Sequence, residues 1–261
     1  DGSGKAAGSP ANAVKVSFRD ANLRYAGAGA DSLSDITFDV APGETVGIIG
    51  GTGSGKSSLV NMIPRFYDAS QGSVCIDGVD VKDYTLDELR HKVGVVPQKA
   101  VLFAGTIADN IRWGKQDATE AEIDEALEIA QAKEFVDGKE NGIYFKITQG
   151  GKNLSGGQKQ RLTIARAGVR KPEILILDDS ASALDFATDA ALRKAIREKT
   201  KGMTVFLVSQ RASTIMNSDK IIVMDDGQIA GIGTHRQLLS NCEIYREICQ
   251  SQLSEEELSH E

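Results

Sequence analysis

The chain has 261 residues, of which 41% are hydrophobic and 26% charged, a composition typical of a globular protein with a sizeable buried core. Its formal net charge of -7 argues against nucleic acid as a main partner, because nucleic-acid backbones are themselves negative. The longest apolar runs, residues 174–177 and 221–224, have the length of a strand and are too short to cross a membrane. The three cysteines lack metal-ligand spacing and are predicted to be free thiols: Cys75, Cys242 and Cys249.

The first part of the chain combines a linker with short strand patterns. Residues 1–12 have a linker composition, so we expect a piece of a longer protein whose folded domain occupies residues 13–252. Alternating or continuous apolar runs predict strands at residues 14–18, 36–40, 45–49, 74–76 and 93–96. The Asp77-Gly78 pair after the fourth run predicts a hairpin turn.

The middle of the chain shows helix patterns instead. Thr119 and Glu122 have the spacing of a capping box, and apolar residues then fall on one helical face, so we expect a helical subdomain at about residues 100–167. Strand patterns return at residues 174–177, 204–209 and 221–224. This alternation predicts an α/β fold with a parallel sheet and a helical insert. The pattern from Thr234 is helical, and residues 253–261 are predicted to form a flexible acidic tail.

A glycine-rich segment lies between the third strand pattern and a helix that should begin near Lys56. Residues 50–57, here called the phosphate loop, have the order Gly, any four residues, then Gly-Lys-Ser, which lets backbone N–H groups surround phosphate oxygens. Lys56 would reach the β- and γ-phosphates, and the Ser57 hydroxyl would bind Mg²⁺. A plain strand–turn–helix corner does not need Lys-Ser after the last glycine. We therefore predict ATP binding by Gly50, Gly51, Thr52, Gly53, Ser54, Gly55, Lys56, Ser57 and Ser58.

A Mg-ATP site also needs a carboxylate for the metal. The apolar run at residues 174–177 is followed directly by Asp178 and Asp179. The carboxyl end of a buried parallel strand lies at the sheet edge where ligands bind. Asp178 is therefore predicted to hold Mg²⁺ through water, together with Ser57.

A second composite motif, residues 154–158, opens another predicted helix. We call these residues the signature segment. Ser155 and Gln158 have the spacing of a capping box, which is a sufficient local role. The capping box does not explain Gly156 and Gly157, which leave the N–H groups of the first turn open to an anion. The chain therefore has either two phosphate sites or one site that is shared between chains.

These motifs, in this order, resemble the nucleotide-binding domain of ATP-binding cassette (ABC) transporters over about residues 14–252. The resemblance implies a P-loop NTPase (RecA-like) parallel core with an N-terminal antiparallel β-subdomain and an inserted α-helical subdomain. It implies that Tyr25 stacks on adenine, and that Gln98 contacts Mg²⁺ and the attacking water. It also implies a head-to-tail dimer in which the partner's ATP is contacted by Leu154, Ser155, Gly156, Gly157, Gln158 and Asp185.

Two further stretches, residues 101–111 and 233–235, resemble exporters that fuse membrane and ATPase regions in one chain. The resemblance implies transmembrane domains as partners and a location on the cytoplasmic face of the cell membrane. One departure concerns coupling to those domains: Gln149 stands where this class usually has an acidic residue.

The sequence departs from the family at two catalytic positions. Asp179 stands where the family has the glutamate that polarises water, and its shorter side chain retracts the carboxylate by about 1 Å, enough to cost about 100-fold in rate. Gln210 stands where the family has a histidine; it can donate a hydrogen bond to the γ-phosphate but carries no charge. The candidate catalytic residues are thus Asp179, Gln210 and Gln98.

We interpret the two departures as a weakly hydrolysing site within an asymmetric heterodimer, in which the signature segment completes the competent site of a different chain. Loss of a base or switch residue weakens the transition state more than nucleotide binding. One alternative is a homodimeric exporter ATPase in which Asp179 and Gln210 suffice. Another is a soluble ABC ATPase that is not linked to transport, against which the acidic charge and residues 103–111 argue.

Overall fold

The computed structural model describes residues 13–254. The predicted linker at residues 1–12 and residues 255–261 of the predicted tail lie outside this part. The strands are β1 (Val16–Leu23), β2 (Leu33–Val40), β3 (Thr45–Gly50), β4 (Gln71–Ile76), β5 (Val79–Asp80), β6 (Val93–Val96), β7 (Gly105–Thr106), β8 (Lys146–Ile147), β9 (Ile174–Asp178), β10 (Thr204–Val208), β11 (Lys220–Asp225) and β12 (Gln228–Gly233). The α-helices are α1 (Lys56–Asn61), α2 (Leu86–Lys92), α3 (Ile107–Arg112), α4 (Glu120–Ile129), α5 (Lys133–Asp137), α6 (Gly156–Gly168), α7 (Phe186–Lys199), α8 (Ala212–Ile215), α9 (His235–Asn241) and α10 (Glu243–Gln252).

The central sheet has the order β12-β11-β3-β10-β9-β6, and the predicted parallel core is confirmed. Strands β11, β3, β10, β9 and β6 run parallel, and β12 is an antiparallel edge strand. Alternate residues of these strands belong to two different apolar cores, because successive side chains point to opposite faces of a sheet. Both faces are therefore covered, as is usual for parallel sheets.

The N-terminal strands form a separate antiparallel sheet with the order β2-β1-β4-β5, which confirms the expected β-subdomain. The rings of Phe18 and Phe38 stack in it with centroids 4.6 Å apart. Its buried residues share one core with α1 and with one face of the central sheet. This packing holds the start of α1, and hence the phosphate loop, against the carboxyl end of β3.

One strand prediction needs correction, and the edge strand β12 was not predicted at all. The first strand begins at Val16 and ends at Leu23, instead of spanning residues 14–18, because it pairs with β2 and β4 and continues past an irregularity near Asp20, whose φ is 44°. Strand β12 has no counterpart among the predictions. Its residues alternate between exposed and half-buried and include two glycines, Gly231 and Gly233, so no apolar run marks it.

Residues 100–167 contain helices α3 to α6 and the short antiparallel pair β7–β8. The predicted capping boxes are confirmed at both α4 and α6. The side chains of Thr119 and Ser155 accept from the backbone N–H groups of Glu122 and Gln158, whose side chains in turn accept from the backbone N–H groups of Thr119 and Ser155. Cys242 and Cys249 are buried and Cys75 is half-buried, and all are free thiols as predicted. Between residues 13 and 254, no helix combines the length and apolar composition that crossing a bilayer requires.

Helix α8 lies unusually close to the central strand β3. A Cβ atom at Gly47 would lie 2.7 Å from Cβ of Ile215 and 2.9 Å from Oγ of Ser218. The absent side chain is therefore what allows α8 to pack here. Because α8 follows β10 directly, this contact also fixes the loop that leaves β10 at the sheet edge.

We expect Gly47→Ala to lower the free energy of unfolding by about 1–3 kcal/mol, since an added methyl group overpacks the contact between β3 and α8. Urea denaturation would measure the change. Gly29→Ala is the matched control, because a Cβ atom there meets nothing within 4 Å. Equal effects of the two substitutions would show that the close approach of α8 does not constrain the fold.

Candidate functional site

The carboxyl ends of β3, β6, β9 and β10 meet at one edge of the central sheet, where they surround a pocket of about 460 Å³. Each strand delivers a predicted site residue from the loop that follows it. The pocket is lined by Tyr25, Asp31, Ser32, Thr52, Gly53, Ser54, Gly55, Lys56, Ser57, Ser58, Gln98, Asp178, Asp179, Val208, Gln210, Asp226 and Gly227. The pocket thus brings together residues that are far apart in the sequence, whereas Gly50 and Gly51 of the predicted nucleotide-binding set do not line it.

The phosphate loop has backbone geometry that requires glycine. Gly53 and Gly55 have φ values of 77° and 102°, in the left-handed region that other residues rarely adopt. A Cβ atom at Gly50 would lie 2.3 Å from the backbone oxygen of Met224, so the loop packs directly on β11. Around Gly51 and Gly53, in contrast, a Cβ atom meets nothing within 4 Å. The loop therefore packs tightly on β11 at Gly50 and has open space around Gly51 and Gly53.

Lys56 is almost fully buried beneath this loop. Its Nζ donates to the backbone oxygens of Gly50 and Gly51, each at 2.8 Å. Burial lowers the pKa of Lys56, while the nearby carboxylates of Asp179 and Asp178 oppose that shift. The Lys56 side chain is thus fixed by the loop's own backbone oxygens at the point where the loop opens into the pocket.

Ser57 and Asp178 are joined by a hydrogen bond within the same pocket. Ser57 Oγ donates to Oδ1 of Asp178 at 2.9 Å, and burial raises the pKa of Asp178. A hydroxyl and a buried carboxylate are hard oxygen ligands of the kind that Mg²⁺ prefers. A bound cation would offset the cost of burying this carboxylate. The residues present therefore fit a magnesium ion.

Asp179 and Gln98 interact with each other. Gln98 Nε2 donates to Oδ2 of Asp179 at 3.1 Å, and the Asp179 backbone N–H donates to Val208 at 2.9 Å. The φ of Asp179 is 46°, so the residue turns away from the extended path of β9. Burial, followed by the charge of Asp178, raises the pKa of Asp179. Its carboxylate therefore faces the pocket with an amide as its hydrogen-bond partner.

Tyr25 and Gln210 lie at other walls of the same pocket. The Tyr25 hydroxyl forms a 2.6 Å hydrogen bond with Oγ of Ser58, and its ring contacts Tyr67 edge-on with centroids 4.8 Å apart. Gln210 follows Ser209 at the end of β10 and is exposed.

The signature segment lies elsewhere. Of the described residues, those of the segment are not among the ones that line the pocket. Ser155 caps α6, Leu154 is buried, and Gly156 is exposed with nothing within 4 Å of a Cβ atom. Asp185 caps α7, with Oδ1 accepting from the Thr188 N–H at 2.8 Å. The signature segment thus presents open helical N–H groups away from the chain's own pocket.

Five pocket residues were not predicted from the sequence: Asp31, Ser32, Val208, Asp226 and Gly227. Gly227 N–H donates to the Ser54 backbone oxygen at 3.1 Å, and a Cβ atom at Gly227 would lie 2.5 Å from the Ser32 oxygen. The Asp226-Gly227 pair is a turn signal that could have been noticed. The loop containing Asp31 carries no comparable signal.

The family model described as "ABC transporter" matches residues 33–182, more than half of the chain. An uncharacterized ABC transporter ATP-binding protein of Mycobacterium tuberculosis (strain ATCC 25618 / H37Rv) is 45% identical over 240 residues. The match covers 91% of this chain and 41% of that protein. The ATP-dependent lipid A-core flippase of Hahella chejuensis is 41% identical over 242 residues, which cover 92% of this chain and 41% of the flippase.

The fold is also found among solved structures. The structure of a bacterial Atm1-family ABC exporter with ATP bound matches with a TM-score of 0.89 and 37% identity, over 94% of this chain and 43% of that one. The chain therefore spans about two fifths of the length of these relatives. From the family match and the pocket at the carboxyl edge of its parallel sheet, the chain belongs to the ABC transporter family and is one of its ATPase domains.

Proposed function

We propose that the chain binds Mg-ATP in the pocket at the sheet edge and serves as an ATPase domain of a membrane exporter. The observation that carries the proposal is the meeting of Lys56, Ser57 and Asp178 in one pocket. Backbone N–H groups of the phosphate loop and the Lys56 cation would bind the phosphates. Ser57, Asp178 and Gln98 would hold Mg²⁺, which supplies charge neutralisation on the phosphates. Tyr25 would stack on the adenine.

The open end of α6 supports a shared site. Gly156 leaves the first turn of α6 uncovered, since a Cβ atom there would meet nothing within 4 Å, whereas one at Gly157 would lie 3.2 Å from the backbone oxygen of Ala183. The signature segment nonetheless does not line the chain's own pocket among the described residues. Its N–H groups suit a phosphate held by another ATPase domain. We therefore propose a head-to-tail pairing in which Leu154, Ser155, Gly156, Gly157, Gln158 and Asp185 face the partner's nucleotide.

We further propose that hydrolysis at the chain's own pocket is slow and that the second domain is a different chain. The Asp179 carboxylate is one methylene shorter than a glutamate at this position and is bonded to Gln98. Gln210 can donate to a phosphate oxygen but cannot exchange a proton near neutral pH. Both features reduce stabilisation of the transition state while leaving the phosphate contacts in place.

Exposed aromatic side chains on the helical side support contact with transmembrane domains. The rings of Phe103 and Trp113 stack with centroids 4.8 Å apart, and both are exposed, as are Val101 and Tyr144. Clustered exposed aromatic residues are typical of an interaction surface. We propose residues 13–252 as the ATPase domain, residues 100–167 as its helical part, and the cytoplasmic face of the membrane as its location.

A homodimeric exporter ATPase with a working Asp179 is the principal alternative. The raised pKa of Asp179 favours it, because a carboxylate with a raised pKa is a better proton acceptor. In that case Asp179→Asn would abolish most of the turnover, whereas in the heterodimer it would change the total turnover little.

Lys56→Met is expected to weaken Mg-ATP binding by about 10-fold to 100-fold, since it removes a charge-assisted contact to the phosphates. Isothermal titration calorimetry on the 261-residue chain would measure the affinity. The exposed Lys201 provides the control Lys201→Met, which makes the same change in charge. If both variants bound ATP as tightly as the parent chain, the nucleotide would have to bind elsewhere.

Asp179→Glu combined with Gln210→His is expected to raise the ATP turnover of the assembled transporter, since the longer carboxylate recovers up to about 100-fold in rate at this site. Steady-state phosphate release would measure it. Asp226→Glu is the matched control, because Asp226 lines the same pocket and its φ of 44° is close to the 46° of Asp179. An unchanged turnover in the double variant would argue against a degraded site.

Ser155→Ala is expected to lower turnover in the assembled transporter without changing the ATP affinity of the chain itself, because Ser155 acts on the partner's nucleotide. Thr119→Ala controls for stability, since both substitutions remove a capping box and cost about 1 kcal/mol. A weakened ATP affinity of the isolated Ser155→Ala chain would instead place the signature segment in its own pocket.

A further inference from the structure

The last residue of α10 holds the loop that carries Gln210. Nε2 of Gln252 donates to the backbone oxygen of Gln210 at 2.8 Å. Oε1 of the same amide accepts from the Ala212 N–H, also at 2.8 Å. One side chain therefore binds the backbone on both sides of Arg211. We call residues 209–211, which connect β10 to α8, the switch loop.

Gln252 is anchored to the core by its neighbours in the helix. Tyr245, Cys249 and Leu253 are buried in the same apolar core as Ala212 and Ile215 of α8. The Leu253 N–H donates to the Cys249 oxygen at 2.8 Å, so the end of α10 is closed by its own backbone. The Gln252 amide is therefore not needed to cap its helix, and both of its hydrogen bonds go to the switch loop.

The other side of the switch loop is held by Arg211. Its guanidinium donates to the backbone oxygens of Ser182 at 3.0 Å and Leu184 at 3.2 Å, and its N–H donates to Oγ of Ser209 at 3.0 Å. None of these hydrogen bonds of Arg211 uses the backbone oxygen of Gln210, which accepts from Gln252 instead. A hydrogen bond weakens steeply with unfavourable distance and angle. The strength of a hydrogen bond from the exposed, uncharged Gln210 side chain to a phosphate therefore depends on the position of the Gln210 backbone.

We propose that Gln252 is a positioning residue for Gln210, which sets the Gln210 side chain at hydrogen-bond distance from the γ-phosphate of ATP. This inference rests on the proposed function, in which Gln210 donates to that phosphate. The C-terminal helix then contributes to the discrimination between ATP and ADP without touching the nucleotide.

The test measures the affinities of the 261-residue chain for Mg-ATP and Mg-ADP by calorimetry. Gln252→Met keeps the length of the side chain and removes both hydrogen bonds, and it is expected to lower the ATP-over-ADP preference by about three- to tenfold. Gln250→Met is the matched control, since Gln250 is exposed on the same helix. Gln252→Glu keeps the acceptor for Ala212 but removes the donor to Gln210, so it is expected to reproduce the loss should Gln252→Met fail to fold.

A double-mutant cycle separates positioning from general stability. In the Gln210→Ala background, Gln252→Met is expected to cause no further loss of ATP preference, because the side chain that it positions is already absent. An equal loss in both backgrounds, an equal loss with Gln250→Met, or no loss at all would overturn the proposal. Failure of the parent chain to bind ATP would overturn the proposed function first, and the two failures are therefore distinguishable.

Discussion

The parallel pairing of β9 between β6 and β10 is the constraint on which the site depends. Leu177 lies opposite both Val96 and Leu207, so the three strands end at nearly the same level. Because parallel strands end at one edge of a sheet, Asp178, Gln98 and Gln210 emerge side by side from loops that are distant in the sequence. A slip of one residue in either pairing would turn the side chains of β9 to the wrong face and separate these groups.

Local chemistry explains what could be predicted from the sequence. The phosphate loop is specified by neighbouring residues, since its glycines, Lys56 and Ser57 act through one strand, one turn and one helix. The capping boxes at Thr119 and Ser155 are equally local. In contrast, Asp31 lines the pocket and Gln252 contacts the loop of Gln210 only through tertiary contacts with distant segments, and no spacing along the chain indicates either residue. The edge strand β12 was missed because its half-exposed residues and glycines contain no apolar run.

The groups that line the chain's own nucleotide pocket lie apart from the groups that would contact a nucleotide bound by a partner domain. Lys56 and Asp178 are buried, and this burial lowers the pKa of Lys56 and raises that of Asp178 because it disfavours their charged forms. The start of α6 offers only backbone dipoles, which need no counter-ion when exposed to water.

Trp113 is the only tryptophan of the chain, and 68% of it is exposed beside the ring of Phe103. Because the chain has one tryptophan, its tryptophan fluorescence comes from this single surface position. Indole emission shifts to shorter wavelengths when the ring leaves water. That position lies on the aromatic patch of the helical side, away from the residues that line the nucleotide pocket. The emission wavelength of Trp113 would therefore report the binding of a partner over this aromatic surface without an added dye.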